Sequence, residues 1–440
     1  MNKKTIIQII IITILIIALG IMIYYTISSN TNNTINDNKQ SQMQSGPETN
    51  GNSSSSSVEV SGEVEITDEQ TKDNMYYETT SDGVNALLIQ NGGSLVLTGS
   101  SVSKSGDTSD ENSDFYGTNA GILVNNKGTL SISNSSINTN GSHANGLFVY
   151  GTGTATIKDS SITTSKNNSG GIMVAGGGTL TAENTDATTE GNSSAAIRSD
   201  RGGGTMLVTG GTYTTNGVGS PAIYSTADVT VKDATLISTK SEGAVVEGKN
   251  SITLNNVTLT DTNTTLNGNS ETYKNIFLYQ SMSGDADEGT SSFTAEDCTI
   301  TTNKGDTIFV TNTSALIKLI NNTIVNNDGD FLRIQAGKWG RSGSNGGEVT
   351  LNMSNQKVTG NIIVDSVSTL DMTMENGSYY EGTINADNSA KSITLKLDSS
   401  SKVKLTGDSY ITSIDNTVTD YANIDFNGYT LYVNGTAIKM

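Results

Sequence analysis

The sequence predicts an all-β protein, a right-handed parallel β-helix with three strands in each coil. Three segments align without a gap and start 25 residues apart, at Gly121, Gly146 and Gly171: GILVNNKGTLSISNSSI, GLFVYGTGTATIKDSSI and GIMVAGGGTLTAENTDA. A fixed period of this length is typical of solenoids, whose repeats bury their apolar faces only against each other. Short runs of Val, Ile, Leu and Thr alternate with Gly, Asn, Asp and Ser, which favours three strands and three turns. Right-handed winding follows from the general preference of parallel crossover connections.

The turn before the third strand of each repeat carries a recurrent small polar residue or glycine. The positions are Gly99, Asn134, Asp159, Asn184, Gly210, Asp233, Asn256, Asp297 and Asn321. Gly, Asn and Asp adopt positive φ at the lowest cost, so we expect the same left-handed corner in every coil.

The repeat extends well beyond the three clean copies. First strands are predicted to start at or beside Ala86, Ala120, Gly146, Gly171, Ala196, Ala222, Ala244, Ile308 and Leu332. About a dozen coils, each ~4.8 Å high, give a rod on the order of 60 Å long. We assign the β-helix to residues 85–415 and a C-terminal cap to residues 416–440, where the pattern breaks and aromatic residues cluster. Residues 58–84 are predicted as an N-terminal cap region.

The N-terminal segments are not part of the solenoid. Residues 6–27 carry no charge and are long enough to cross a bilayer, and Lys3 and Lys4 place residues 1–5 in the cytoplasm. We therefore predict a transmembrane signal-anchor, a single-pass protein and an extracellular rod; a cleaved secretory signal and a secreted rod are the alternative. Residues 28–57 are rich in Asn, Ser, Thr and Gln and predict a disordered polar tether.

Composition narrows the classes of partner and chemistry. The net charge of −19 makes nucleic acid a poor partner. The one cysteine, Cys298, excludes an intramolecular disulfide, and the one histidine, His143, lies in a polar turn where we expect it to be exposed. We therefore predict no histidine-based catalytic triad, no metal site and no cofactor.

Strand alternation distinguishes the outward side chains from the core. In the second strand, the outward positions are Ser131, Thr156, Thr181, Leu207, Thr230, Thr253, Thr294 and Lys318, a polar column that should face water. In the first strand, they are Leu88, Leu123, Phe148, Met173, Arg198, Tyr224, Val246, Phe277, Phe309 and Arg333. An exposed apolar stripe of this length often marks a partner surface. The alternatives are that a loop of the same chain covers it, or that the phase is wrong by one residue.

Candidate ligand-binding residues cluster on the first-strand face of the central coils. The set comprises Phe148, Arg198, Asp200, Arg201, Tyr224, Glu247, Phe277, Tyr279 and Gln280, together with Trp339. Guanidinium groups beside aromatic rings suit sugar hydroxyls and carboxylates. The alternative is a structural ladder of ion pairs between coils.

Two insertions leave the rod at the corner after the first strand. SMSGDADEGTSS starts at Ser281, and AGKWGRSGSNGG starts at Ala336 and carries the only tryptophan. Trp339 in a Gly-rich loop is suited to stacking on a sugar ring or, equally, to plugging the rod. The acidic residues of the first insertion match no defined calcium loop, which favours a solvated loop.

The blocks SAAIRSDRGGG, SPAIYSTA, YQSMSGDA and WGRSGSNGG resemble those of adhesin-like, right-handed β-helix surface proteins of Gram-positive gut bacteria. The resemblance covers residues from about Asn85 to the C-terminus and implies fold and surface exposure rather than an activity. A more distant resemblance connects the chain to β-helix pectin and alginate enzymes, which rely on Asp clusters or on Lys and Arg beside calcium.

Three functions follow as hypotheses. The first is a membrane-anchored surface adhesin whose partner is a glycan or protein ligand. The second is a polysaccharide lyase or glycoside hydrolase that uses Arg198, Asp200, Arg201 and Glu247. The third is a structural spacer of the cell envelope.

Overall fold

The computed structural model describes residues 58–266 and 272–438, in which almost all regular structure is β-strand. Strands follow each other in threes, and each one pairs with the equivalent strand of the coils before and after it. This arrangement confirms the predicted all-β parallel solenoid with three strands per coil. The predicted anchor at residues 6–27 and tether at residues 28–57 lie outside the described residues. Within the described ranges, no helix is both long and apolar enough to span a membrane.

Three long parallel sheets form the walls of the solenoid. The first-strand sheet contains Gly62–Ile66, Asn85–Ile89, Ile122–Val124, Leu147–Tyr150, Ile172–Ala175, Ile197–Ser199, Ile223–Ser225, Ala244–Glu247, Lys274–Tyr279, Asp306–Thr311, Leu332–Ile334 and Ile362–Val364. The second-strand sheet contains Glu69–Asp73, Ser94–Thr98, Thr129–Ser133, Thr154–Lys158, Gly178–Glu183, Gly204–Thr209, Asp228–Lys232, Ser251–Asn255, Thr290–Glu296, Thr313–Ile320, Gly347–Ser354, Thr369–Glu375, Ser392–Leu397 and Ser413–Asn416. The third-strand sheet contains Tyr76–Thr79, Ser101–Lys104, Ser136–Thr139, Ser161–Thr164, Asp186–Thr189, Thr212–Thr215, Thr235–Ser238, Thr258–Asp261, Thr299–Thr302 and Thr323–Asn326.

Two smaller sheets complete the C-terminal coils. Four parallel strands continue the third wall: Lys357–Thr359, Tyr379–Gly382, Lys402–Leu405 and Ile424–Asp425. The last sheet contains Ser409–Ile411, Leu431–Val433 and Thr436–Ile438. Its final two strands pair antiparallel, which among the described strands occurs only there. Parallel pairing begins with Gly62–Ile66, inside the segment predicted as an N-terminal cap region.

The interior is a continuous column of aliphatic side chains from all three walls. Leu147 is in register with Ile122 and Ile172 on the neighbouring coils, and all three are fully buried. The same 25-residue offset governs the aligned segments of the sequence, because one period adds one coil of identical shape. Full burial of each such side chain contributes about 1.5–3 kcal/mol, so stacked coils stabilise each other where a single coil cannot fold.

The recurrent corner before the third strand is confirmed at every predicted position. The φ values are 59° at Gly99, 49° at Asn134, 46° at Asp159, 44° at Asn184, 69° at Gly210, 52° at Asp233, 52° at Asn256, 55° at Asp297 and 51° at Asn321. Amides and carboxylates at this corner also bond between coils, as in Asn256 Nδ2 to Asp233 Oδ1 at 2.6 Å. Asn and Asp therefore both accept the left-handed backbone and link adjacent turns.

The outward column of the second-strand sheet also follows the prediction. Thr156 is in register with Ser131 and Thr181, and the column continues to Lys318 with partly or fully exposed side chains. Cys298 is buried beside the third wall, and burial raises the pKa of its thiol. The all-β prediction has one exception among the described residues, because a five-residue helix spans Asn112–Tyr116.

Candidate functional site

The outward column of the first-strand sheet forms a ladder along the rod. Its members are Leu88, Leu123, Phe148, Met173, Arg198, Tyr224, Val245, Phe277, Phe309 and Arg333. The predicted phase is confirmed except at one coil, where Val246 was wrong and Val245 occupies the ladder. Ala244 pairs with Ile223 and takes the inward position, so alternation turns Val246 into the core.

The N-terminal half of this ladder is covered by the chain itself. Leu88, Leu123, Phe148 and Met173 have no exposed surface, although their side chains point away from the main core. Residues 105–119, which include the helix Asn112–Tyr116, cover Leu123 and Phe148, and we call them the covering segment. A Cβ atom on its Gly117 would lie 2.8 Å from a Leu123 methyl carbon and 2.9 Å from the Phe148 ring. The expectation of an exposed apolar stripe is therefore wrong for these coils, and Phe148 is removed from the solvent-facing set.

A buried group of charges fixes the covering segment to the rod. Asp114 Oδ2 lies 3.0 Å from His143 Nδ1, and Asp114 Oδ1 lies 3.7 Å from Arg198 Nη1. Arg198 Nη2 donates to Asp200 Oδ2 at 3.0 Å. Burial raises the pKa of Asp200 to about 6, against the opposing effect of Arg198. Burial acts to lower the pKa of Arg198, but the carboxylates of Asp114 and Asp200 raise it overall.

His143 corrects a prediction, because its side chain is only 13% exposed rather than free in a turn. The φ of His143 is 55°. Asn168, which lies one coil further along the rod, places its Nδ2 3.0 Å from Nε2 of His143. The hydrogen bond that His143 donates to Asp114 raises the pKa of His143 above its ordinary value, while burial acts in the opposite direction. The imidazole therefore contributes to the attachment of the covering segment.

Arg201 contacts both the covering segment and the first insertion. Its Nε donates to Asp285 Oδ1 at 2.6 Å, and its guanidinium carbon lies 3.8 Å from the centre of the Phe115 ring. The side chain is 49% exposed, so each contact is partly solvated. Asp285 of the acidic insertion thus contacts the rod, whereas Asp287 and Glu288 are exposed, as expected for the predicted solvated loop. Within the described residues, no group of three His, Cys, Asp or Glu side chains could hold a metal ion.

The C-terminal half of the ladder presents a cluster of aromatic rings. Phe277 and Tyr279 stack with centroids 4.5 Å apart and planes 10° apart, and the Trp339 ring lies 6.1 Å from Tyr279. Tyr224 lies two rungs before Phe277 on the same ladder. These four residues, which we call the aromatic platform, each retain partial exposure, whereas the neighbouring Phe309 is 5% exposed. The second insertion therefore contributes Trp339 to the platform and leaves all four side chains partly exposed.

A buried carboxylate lies beneath the platform. Glu247 is 1% exposed and accepts hydrogen bonds from the hydroxyls of Tyr224, Tyr279 and Ser281, with the Tyr279 bond at 2.7 Å. Burial, together with the nearby carboxylate, raises the pKa values of Tyr224 and Tyr279 well above the ordinary value. Both phenols thus stay protonated and donate to Glu247, which fixes the orientation of the two rings.

Gln280 supports the first insertion rather than the platform. Its side chain is buried, and its Nε2 donates to the carbonyls of Ser281 at 3.1 Å and Ala286 at 3.3 Å. The structure thus brings Tyr224, Glu247, Phe277, Tyr279 and Trp339 together, and it places Arg198, Asp200 and Arg201 in a separate charged group.

Sequence reasoning missed Asp114, Phe115 and the contact between Asp114 and His143. The covering segment contributes them from outside the periodic strands, so no repeat position predicts their contacts. The sequence did offer one indication, because His143 and Asn168 are 25 residues apart, which is one full period. In the structure both residues adopt a positive φ and form a second recurrent corner.

Comparison with known proteins agrees with this architecture. A family described as "Right handed beta helix region" has a model that matches residues 85–263 and 145–364, which together span more than half of the 440-residue chain. The match confirms the predicted right-handed winding and the pectin-lyase-like character of the solenoid. No curated protein matches the chain.

Proposed function

Because the chain belongs to the right-handed β-helix family, and this fold hosts many activities, we propose its function from the aromatic platform. The protein acts as a cell-surface adhesin that binds a glycan through the first-strand face of its central coils. A protein ligand is the alternative partner for the same surface.

The observation that carries the proposal is the partly exposed stack of Phe277 and Tyr279 beside Trp339 and Tyr224. A pyranose ring has a flat face of C–H groups that packs on such rings, and burial of that face contributes roughly 25 cal/mol per Å². The hydroxyls of Tyr224 and Tyr279 donate to Glu247, which holds both rings in place for this packing. Stacking supplies the affinity, and the fixed rings orient the sugar.

The charged residues considered for catalysis favour binding over turnover. Arg198 is paired with Asp200, Arg201 with Asp285, and Glu247 is occupied by three hydroxyls. None of these groups is an unpaired acid or base beside a ring of the platform, as acid–base catalysis there would require. Ion pairs therefore account for Arg198, Asp200 and Arg201, and hydroxyl hydrogen bonds account for Glu247.

The N-terminal segments give the proposed adhesin its setting. Residues 6–27 anchor the protein in the cell membrane, and residues 28–57 connect the anchor to the extracellular rod.

The proposal is tested with cells that display the full-length chain, incubated with an immobilised glycan panel. We expect attachment to at least one glycan, and its loss when Tyr224→Ala is combined with Phe277→Ala. The matched control combines Thr181→Ala with Thr230→Ala on the second-strand sheet and retains attachment. Trp339→Ala, in an insertion outside the solenoid core, weakens attachment without a change in melting temperature.

Opposite results separate the other hypotheses. Attachment that survives the aromatic substitutions but not the threonine ones would mean that the wrong face was chosen. Sugars released by the wild type and not by Glu247→Gln would indicate an enzyme. A rod that attaches to no glycan or protein ligand, and releases no sugar, would be a spacer.

A further inference from the structure

A cavity of about 320 Å³ lies near the C-terminal end of the rod, away from the aromatic platform. It adjoins the strands Ser409–Ile411 and Leu431–Val433. Its lining includes Asn388, Tyr410, Thr412, Tyr432 and Asn434. Pockets for small ligands usually measure roughly 300–1,000 Å³, so this cavity suits a single sugar-sized unit.

Two tyrosines provide a flat carbon surface in this cavity. Tyr410 and Tyr432 are register partners on adjacent strands, and their rings stack with centroids 4.7 Å apart and planes 5° apart. Both are half-buried. Ala437 lies directly opposite Tyr432 on the antiparallel strand, and its methyl group is too small to cover the ring.

Two asparagines provide hydrogen-bonding groups at the rim. The φ values are 51° at Asn388 and 46° at Asn434, and their backbone N–H groups donate to the carbonyls of Asn385 and Ile411. Their backbones therefore hold the turns, while their exposed side-chain amides offer both donors and acceptors. Among the described residues that line the cavity, none carries a charge.

We propose that this cavity is a second carbohydrate site, and that it takes one neutral sugar unit. The tyrosine stack suits the C–H face of a pyranose, and the amides suit its hydroxyls. A uronate or an amino sugar would bring a charge that no group of the lining pairs, which disfavours both. The site belongs to coils several rungs beyond Phe277, so it does not depend on the aromatic platform.

Titration of the full-length chain tests this site, in a detergent without a sugar headgroup. The probes are glucose, galactose, mannose and N-acetylglucosamine, with glucuronate and glucosamine as charged counterparts. Saturation-transfer NMR and calorimetry should detect at least one neutral sugar and neither charged one. Combining Asn388→Gly with Asn434→Gly should weaken that binding at least tenfold at an unchanged melting temperature, because glycine accepts positive φ. Asn74→Gly, at a φ of 54°, is the matched control.

Three outcomes would overturn the proposal. The first is that no neutral sugar binds, and the second is that the charged sugars bind equally well. The third is that Phe277→Ala abolishes sugar binding while the two glycine substitutions leave it unchanged, which would assign all binding to the platform. Conversely, if the glycine substitutions remove sugar binding and the platform substitutions leave cell attachment intact, the cavity is a site and the proposed adhesive surface is wrong.

Discussion

At the scale of the residue, asparagine and aspartate determine the shape of each coil. They adopt φ near 50° before the third strand in coil after coil, where a residue with a branched side chain would be strained. Their side chains also bond along the rod, as in Asn321 Nδ2 to Asp297 Oδ1 at 2.6 Å. The residue at this one position of each coil thereby fixes the turn and ties it to the next one.

Replacing Asn134 by valine should expose this dependence. The side chain is exposed and φ is 49°, so the substitution adds strain without disturbing the core, and we expect a loss of about 1–2 kcal/mol in the free energy of unfolding. Urea denaturation measures the loss. Asn134→Gly serves as the control and should retain nearly full stability; equal stability of the valine variant would contradict the argument.

At the scale of the element, the covering segment decides which part of the first-strand face meets solvent. It buries Leu123 and Phe148 under a short helix that Asp114 attaches to His143 and Arg198. The helix is too short to be stable alone, so its position depends on these contacts. An apolar stripe that would otherwise promote aggregation becomes a second small core.

The attachment of this segment should depend on pH. Asp114 raises the pKa of His143 in the folded chain above its unfolded value near 6.5, so protonated imidazole stabilises the fold. The stabilisation is fully present below about pH 6.5 and is lost as the pH rises through the raised folded pKa. The groups that face His143 are Asp114, Arg198, Glu111 and Asn168.

Comparison with His143→Asn isolates this contribution, because asparagine accepts the φ of 55°. The substitution should lower the melting temperature more at about pH 5.5 than at about pH 8.5. The titration of Asp200, whose pKa is about 6, is present in both proteins and largely cancels in the difference. A gap between the two proteins that grows with pH would contradict the assigned sign.

At the scale of the whole molecule, each wall of the solenoid presents a different kind of side chain to solvent. The second wall presents threonines to water, and the first wall presents aromatic rings over part of its length. Stacked coils keep each outward position in line, so a chemical preference at one position becomes a stripe along the rod. The net charge of −19 makes such rods repel one another, which opposes their association.

Deletion of residues 1–27 should release a soluble rod. The described coils bury their own apolar side chains, so folding requires neither the deleted residues nor a bilayer. We expect the circular dichroism spectrum and the melting temperature of the truncated chain to match those of the full-length protein in detergent. Failure of the truncated chain to fold would contradict the separation into anchor, tether and rod.

The sequence by itself determined the solenoid, the three strands per coil and the left-handed corners, because these depend on local pattern and on a period repeated at each coil. Only the tertiary structure decided which outward residues are exposed. Phe148 lies under residues 105–119, and Arg201 meets Asp285, 84 residues away in the chain. The shift from Val246 to Val245 arises from a coil of different length. Loops and insertions follow no period, so their contacts with the rod become visible only when the chain is folded.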